Sequence, residues 1–210
     1  MARRTKEEAE QTRLNIIAAA RKVFQAHGVT RATLQHVATA AGVTRGAIYW
    51  HFADKSALFH AMRDQVTLPL VDRGDFELLH HAETPPLARL ESFINTLIDA
   101  LENDQVVRET FEIMAFKCEY VGEVEPELAQ TRRQHQALFD KLVQVYRQAA
   151  QEGSLRAGLK PETMASDTTM FISGLVRLWL LDEEGQFARV NVREVIAAHV
   201  QARLAWSPSS

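Results

Sequence analysis

The chain of 210 residues has one cysteine, Cys118, so no disulfide can close within it, and a reducing, cytoplasmic home is expected. It lacks any run of 18 apolar residues. The best candidate, residues 170–181, is interrupted by Ser173, Gly174 and Arg177, and no membrane span is expected. The basic start, Arg3-Arg4, is followed by Glu7, Glu8 and Glu10 rather than an apolar core, so no signal peptide is expected. Convincing period-two alternation is missing, which argues against a sheet. Glycine-rich phosphate loops, a nucleophile elbow and paired carboxylates are missing too, so the chain does not read as an enzyme. His80-His81 have no third ligand at a useful spacing, and neither a metal nor a cofactor is expected. Cys118 lies on an apolar stripe and reads as a core thiol. His27, His60, His135 and His199 read as ordinary surface or helix-end residues.

What is present is ordinary in amount and uneven in placement. Apolar residues make up 46% and charged residues 24%, as in globular proteins. The net charge of −3 hides an asymmetry. Residues 1–70 carry ten Lys/Arg against five Asp/Glu, a net +5; residues 71–210 carry fourteen against twenty-two, a net −8. A basic head on an acidic body points to an anionic partner for the head, with nucleic acid the foremost candidate.

Helical periodicity runs through nearly the whole chain. Leu34, Val37, Ala38 and Ala41 share one face, as do Leu90, Ile94, Leu97, Ile98 and Leu101. Val107, Phe111, Met114, Ala115 and Cys118 repeat the pattern, and Leu138, Leu142, Val145 and Ala149 continue it. Breakers separate the helices. Gly28 ends the first, Gly42 parts two short ones, and Asp54 is placed to cap a fourth that runs into the 70s. Pro85-Pro86, Pro126 and Pro161 open later helices. The last is expected over about 192–205, before a frayed tail, Ser207 to Ser210. The reading is all-α, about nine helices: an N-terminal three-helix DNA-binding domain over 1–54, and a helical bundle over 55–210 for ligand binding and dimerisation.

Residues 33–55 carry the most information. A short amphipathic helix, a tight turn at Gly42-Val43 and a second short helix make a helix-turn-helix, with Thr33 and Thr44 placed as N-caps. At roughly 100° per residue, Ala47, Ile48, His51 and Phe52 fall on one side of the second helix. Arg45, Gly46, Tyr49 and Trp50 fall on the other. Two aromatics on an outward face suit phosphates, sugars and thymine methyls; Gly46 allows close backbone approach, and Arg45 can reach a guanine edge or a phosphate. Arg45 and Lys55 each begin a helix, where a cation opposes the macrodipole unless an anion arrives to offset both.

The stretches I-I-A-A-A-R-K-V-F, G-V-T-R-A-T-L and A-G-V-T-R-G-A-I-Y-W-H-F with the following D-K, over residues 8–60, resemble the DNA-binding domain of TetR-family repressors. The opening R-R-T-K-E-E-A and the R-G-A-I-Y-W-H-F stretch look most like the AcrR/TtgR-type regulators of multidrug efflux pumps. The resemblance implies that the third helix enters the major groove of operator DNA. It implies DNA contacts at Thr33, Thr44, Arg45, Gly46, Tyr49, Trp50, His51 and Lys55. His36 stands where some relatives carry an acidic or apolar residue, and no role is carried over to it.

The rest of the chain resembles the family less specifically, through M-A-F-K-C-E-Y at 114–120 and G-L-V-R-L-W-L-L at 174–181. The equivalent regions of those regulators line a pocket or a dimer interface. Phe93, Ile94, Leu97, Phe111, Met114, Ala115, Ile172, Val176 and Arg177 are therefore the candidates to line a site for an apolar, drug-like molecule. An apolar stripe is also what plain core looks like. Arg177 stands out because a charge in an apolar run needs a partner, a ligand, a subunit interface or water. The last two long helices are expected to pair with a second copy, so that two heads read a palindrome. The function implied is a homodimeric repressor released from DNA by a small molecule. A helix-turn-helix regulator without an inducer, acting constitutively or through a protein partner, is the alternative.

Overall fold

A computed structural model describes residues 6–79 and 83–205. His80-His81, the start of the chain and the tail from Ser207 lie outside the described residues. Nine α-helices are found there: α1 (Lys6–His27), α2 (Leu34–Ala41), α3 (Arg45–His51), α4 (Lys55–Leu79), α5 (Pro86–Asn103), α6 (Gln105–Glu112), α7 (Pro126–Gln151), α8 (Pro161–Leu181) and α9 (Val192–Gln201). No strand occurs among the described residues, and a single isolated bridge pairs Leu155 with Leu204. No described helix is long and apolar enough to cross a membrane.

Local chemistry sets the early boundaries as the sequence predicts. The Thr33 hydroxyl accepts from the His36 N–H, and that of Thr44 from the Ala47 N–H, both at 3.2 Å. The Asp54 carboxylate accepts from the Ala57 N–H at 2.7 Å at the start of α4. Gly42 ends α2 with φ +65°, a left-handed conformation that a side chain would strain.

Two later boundaries differ from the sequence reading. The stripe through Val107, Phe111, Met114, Ala115 and Cys118 assumes one α-helix, but α6 stops at Glu112 and a π-helical turn, Ile113–Lys117, follows. Val107 and Thr110 of α6 and Ile113 at the start of the turn are buried, and Phe111, Met114 and Ala115 are half-buried. The last helix ends at Gln201 rather than near 205. There the backbone finds other partners: the Arg156 N–H donates to the Arg203 carbonyl and the Ala205 N–H to that of Ser154, both at 2.8 Å.

The chain forms two compact units. One comprises residues up to 68 together with 105–131; the other comprises 69–104 and 132 onward. This division differs from one at 54/55, because α4 runs on past Lys55 and buries Leu58, Phe59 and Met62 in the same core as α1–α3. That core is built from Ile16, Ile17, Ala20 and Phe24 of α1, Val37 and Ala38 of α2, and Ile48 of α3, all fully buried or nearly so. Ile113 and Val124 join it from the 105–131 segment. The boundary at 68/69 falls at Pro69, which α4 accommodates in its interior although it lacks the N–H for a helical bond.

In the second unit the buried face of α5 carries Leu87, Leu90, Ile94, Ile98 and Leu101. Leu142, Val145, Tyr146 and Ala149 of α7 are buried, as are Ile172, Leu175 and Trp179 of α8 and Ile196 and Val200 of α9. Arg193 ties α9 to α5, reaching Asp99 at 2.6 Å and Glu102 at 2.7 Å. After α8 the Asp182 carboxylate accepts from the N–H groups of Gln186, Phe187, Ala188 and Arg189 at 2.7–3.0 Å. Those four donors hold its pKa down at about 2 against the cost of desolvation.

Candidate nucleic-acid interface

Helix α3 turns one side to the core and the other to water. Ile48 is fully buried and Phe52, its C-cap, nearly so. Arg45, Gly46, Tyr49 and Trp50 are exposed, with Tyr49 at 46% and Trp50 at 71%. These side chains are pre-arranged. The Arg45 guanidinium donates to the Tyr49 hydroxyl at 3.0 Å and lies 5.4 Å from the centre of its ring. The Trp50 ring meets that of His51 edge-on at 4.5 Å, and His51 is half-buried. Thr33 and Thr44 are exposed at the starts of α2 and α3.

Gly46 is informative because nothing inside the molecule requires it. A Cβ there would meet only the Thr44 hydroxyl, at an ordinary 3.9 Å.

Lys55 is not an unpartnered cation at the start of α4. It is 9% exposed, and its amine donates to the carbonyls of Thr30 at 3.1 Å and Ala32 at 3.2 Å, in the connection between α1 and α2. Glu123 stands 3.5 Å from the same amine. Burial at the N-terminus of α4 is tolerated because two carbonyl dipoles and a carboxylate surround the charge.

Glu123 is one of five glutamates in segment 105–127 that face the head. Glu109 accepts from Arg21, Glu112 from Gln25, Glu119 from Thr30, and Glu127 from Ser56 and Arg63. The Arg63–Glu127 pair is the most buried. Arg63 is 1% exposed, with Nη1 2.6 Å from Glu127, Nη2 2.8 Å from His60 Nδ1, and Nε 3.1 Å from Asp64. His60, read from sequence as an ordinary surface residue, belongs to this network and also lies 2.9 Å from Asp64.

The sequence reasoning missed these residues. A signal was present, since Arg63 continues the buried spacing of Phe59 and Met62. The glutamates gave none, being 60 to 90 residues away. They also change the electrostatics of the head. Residues 1–68 carry +5 and residues 105–131 carry −4, so the compact unit that includes both is nearly neutral at +1. The positive surface is local, resting on cations such as Arg45 rather than on the head as a whole.

The candidates for a ligand pocket fall in both units. In the second unit Ile94 and Ile172 are buried, while Phe93, Leu97 and Val176 are half-buried. The Phe93 ring lies against the backbone of Gly74, where an added Cβ would come within 2.6 Å of it. Arg177 is exposed. It lies about 140° around α8 from Ile172 at 3.6 residues per turn, so the two side chains do not share a face. In the first unit Phe111, Met114 and Ala115 are half-buried, and Met114 packs against the core of the head. Cys118 is half-buried, and desolvation pushes its thiol pKa up, in keeping with an unreactive sulfur. Among the described residues no cluster of three His, Cys, Asp or Glu side chains could hold a metal.

Two capped helices joined by a left-handed glycine, the second presenting an arginine and two aromatics to water, define a helix-turn-helix DNA-binding protein. Residues 16–62 match the model for bacterial regulatory proteins of the tetR family, and residues 85–202 match the C-terminal region of MAATS-type transcriptional repressors. The chain belongs to the TetR family of transcriptional regulators and is not an enzyme. It is 34% identical to the HTH-type transcriptional regulator AcrR of Shigella flexneri, over 94% of this chain and 91% of that one. Its fold is similar to that of NalD, the secondary repressor of the MexAB-OprM multidrug efflux pump in Pseudomonas aeruginosa, with TM-score 0.83 and 28% identity over 95% of this chain and 98% of that one. It is also similar to SmeT in a complex with triclosan, with TM-score 0.79 and 27% identity over 95% and 96% of the two chains. SmeT is described as the repressor of the Stenotrophomonas maltophilia multidrug efflux pump SmeDEF.

Proposed function

We propose that this regulator is a cytoplasmic homodimer that represses a multidrug efflux operon and is released from a palindromic operator by an apolar, drug-like small molecule. The observation that carries the DNA-binding part is the outward surface of α3, where Arg45, Tyr49 and Trp50 stand in water beside a glycine the fold does not need. Thr33, Thr44 and half-buried His51 complete the contact set. Lys55 joins it only through whatever part of its amine its internal partners leave available.

Dimerisation is supported by the outward face of α8. Met170, 70% exposed, shares that face with Gly174, Arg177, Leu178 and Leu181, and Val195 of α9 is exposed as well. Apolar side chains of this size grouped on one face mark an interaction surface. Arg177 belongs to this face in the reading proposed here, which removes it from the pocket candidates. A twofold pair would set two α3 helices about 34–36 Å apart, the spacing of successive major grooves on one side of B-DNA.

The inducer reading is supported by the relatives, two of them repressors of multidrug efflux pumps and one solved with triclosan. Phe93, Ile94, Leu97, Ile172 and Val176 are the lining we assign to it in the second unit, with Phe111, Met114 and Ala115 as candidates in the first. The functional division, a reading part over 1–54 and a sensing and dimerising part over 55–210, is part of the same proposal. A ligand shifts DNA affinity only by the difference in its own affinity for the two states of the protein.

The test is titration of the DNA upstream of the protein's own gene, with and without triclosan. Specific binding over random DNA, weakened by the drug, is the expected result. Specific binding that the drug leaves alone, in a protein whose melting temperature the drug does not move, supports regulation without an inducer. Arg45→Ala should weaken specific binding by about 1–3 kcal/mol while leaving thermal stability unchanged.

A further inference from the structure

The amine of Lys55 has three N–H donors. Two are taken by the carbonyls of Thr30 and Ala32, and these fix the group at the N-terminus of α4. The third is left for Glu123, which approaches to 3.5 Å, an ion-pair distance longer than a good hydrogen bond. The two partners of the amine differ in kind. The carbonyls are part of the head's backbone, whereas the Glu123 side chain is 67% exposed and sits on the short 3-10 turn Gly122–Val124. A carboxylate on a short exposed turn, loosely paired with a well-held cation, can give way to another anion held at the same place by further contacts.

We propose that Glu123 occupies, in the DNA-free protein, the position a backbone phosphate takes on DNA, so that segment 105–127 sets the head's affinity for DNA by holding or yielding the third donor of Lys55. The occupant is a phosphate diester of duplex DNA, and no movement of the amine away from its two carbonyls is required. The other four glutamate contacts of the segment act differently. Glu109 and Glu127 pair with the buried arginines Arg21 and Arg63 and are themselves largely covered, at 27% and 9% side-chain exposure, and Glu112 and Glu119 accept from neutral side chains. They hold the segment against the head, while Glu123 is the most exposed partner of a cation that is otherwise fixed by two backbone carbonyls. The proposal rests on the DNA-reading assignment above.

The experiment uses the full chain and a random-sequence 30-base-pair duplex, since a phosphate contact is independent of sequence. Glu123→Gln should raise affinity severalfold and leave the melting temperature unchanged. Glu125→Gln changes net charge equally, two residues away on an exposed side chain that makes no bond to Lys55, and should have a much smaller effect. Lys55→Gln keeps a donor for the carbonyls and removes the charge. It should lower the salt slope of binding by about 0.9 per head, one counterion fewer, and abolish the gain from Glu123→Gln when the two are combined. Equal gains from Glu123→Gln and Glu125→Gln, or a Glu123→Gln gain that survives Lys55→Gln, would overturn the proposal, because either means a general charge effect. If Lys55→Gln does not fold, the comparison of the two glutamates still decides. Absence of duplex binding by the parent chain would instead overturn the DNA-reading assignment itself.

Discussion

The two units place their polar groups differently. In the unit with the reading head, the residues that face outward are positioned by neighbours three or four places away in the chain. Arg45 bonds to Tyr49, and Thr44 caps the turn that carries both. The residues that hold the unit together take partners from a distant segment, as Arg63 does with Glu127. In the second unit the buried polar groups form chains that cross helices. The Tyr146 hydroxyl bonds Thr168 at 2.6 Å, Thr168 bonds His199 at 3.0 Å, and the imidazole stacks on Phe171 with ring centres 3.7 Å apart. The outward face of that unit is apolar instead, at Met170, Leu178 and Leu181. The lesson is a division of labour. The first unit exposes an arginine and two aromatics on α3 and ties itself together through buried ion pairs, while the second joins its helices through buried neutral polar groups and exposes an apolar face on α8.

The harshest way to break this contrast is to remove the buried charge partner in the first unit. Arg63→Met leaves Glu127 in the core with no cation, which costs about 3–5 kcal/mol, and urea unfolding should register the loss. Arg63→Met with Glu127→Leu should recover most of it, because two apolar side chains need no partner. A single mutant as stable as the parent would mean that the pair is not buried in solution.

Leu178→Asp attacks the other side of the comparison. A carboxylate in the middle of the outward face of α8 should turn the dimer into a monomer on light scattering without lowering helicity. Binding to a palindromic site should drop to the level of a single head on a half-site. An unchanged molar mass would remove the assignment of that face to a second copy.

The head was more legible in sequence than anything else, and the reason is range. Caps at Thr33, Thr44 and Asp54 and the glycine at 42 act through bonds spanning three to five residues, so local residue types determine them. The outward face of α3 follows from helical geometry alone. The burial of Lys55 was not legible because its partners include Thr30 and Ala32, more than twenty residues before it, and Glu123, nearly seventy after it. Period analysis cannot detect a π-turn, so the stripe through Phe111 and Met114 was drawn too far. The end of α9 depended on backbone pairing with residues 154–156, almost fifty positions away, which no helix-stop signal near 201 announces.

A smaller effect tests whether the surface of α3 is built for a partner rather than for stability. Gly46→Ala should raise stability by about 1 kcal/mol, because the new methyl meets nothing closer than 3.9 Å. Operator binding should weaken at the same time, since the helix can no longer approach as closely. Gains in both stability and affinity would show that the glycine has no role at the interface.

The mildest expected effect concerns pH and belongs to the second unit. Desolvation lowers the pKa of His199 to about 4 from its usual 6.5. The folded protein thus keeps the ring neutral where an unfolded chain would begin to protonate it. Between pH 6.5 and 4 the unfolded state binds more protons, so stability should fall as the medium is acidified through that window and be insensitive to this residue above it. The ring is only partly enclosed, so the change is modest. Comparing urea midpoints at pH 7.5 and 5.0 in the parent and in His199→Gln isolates it, because the amide can still bond Thr168 but does not titrate. A parent and variant that lose stability equally on acidification would place the pH dependence elsewhere.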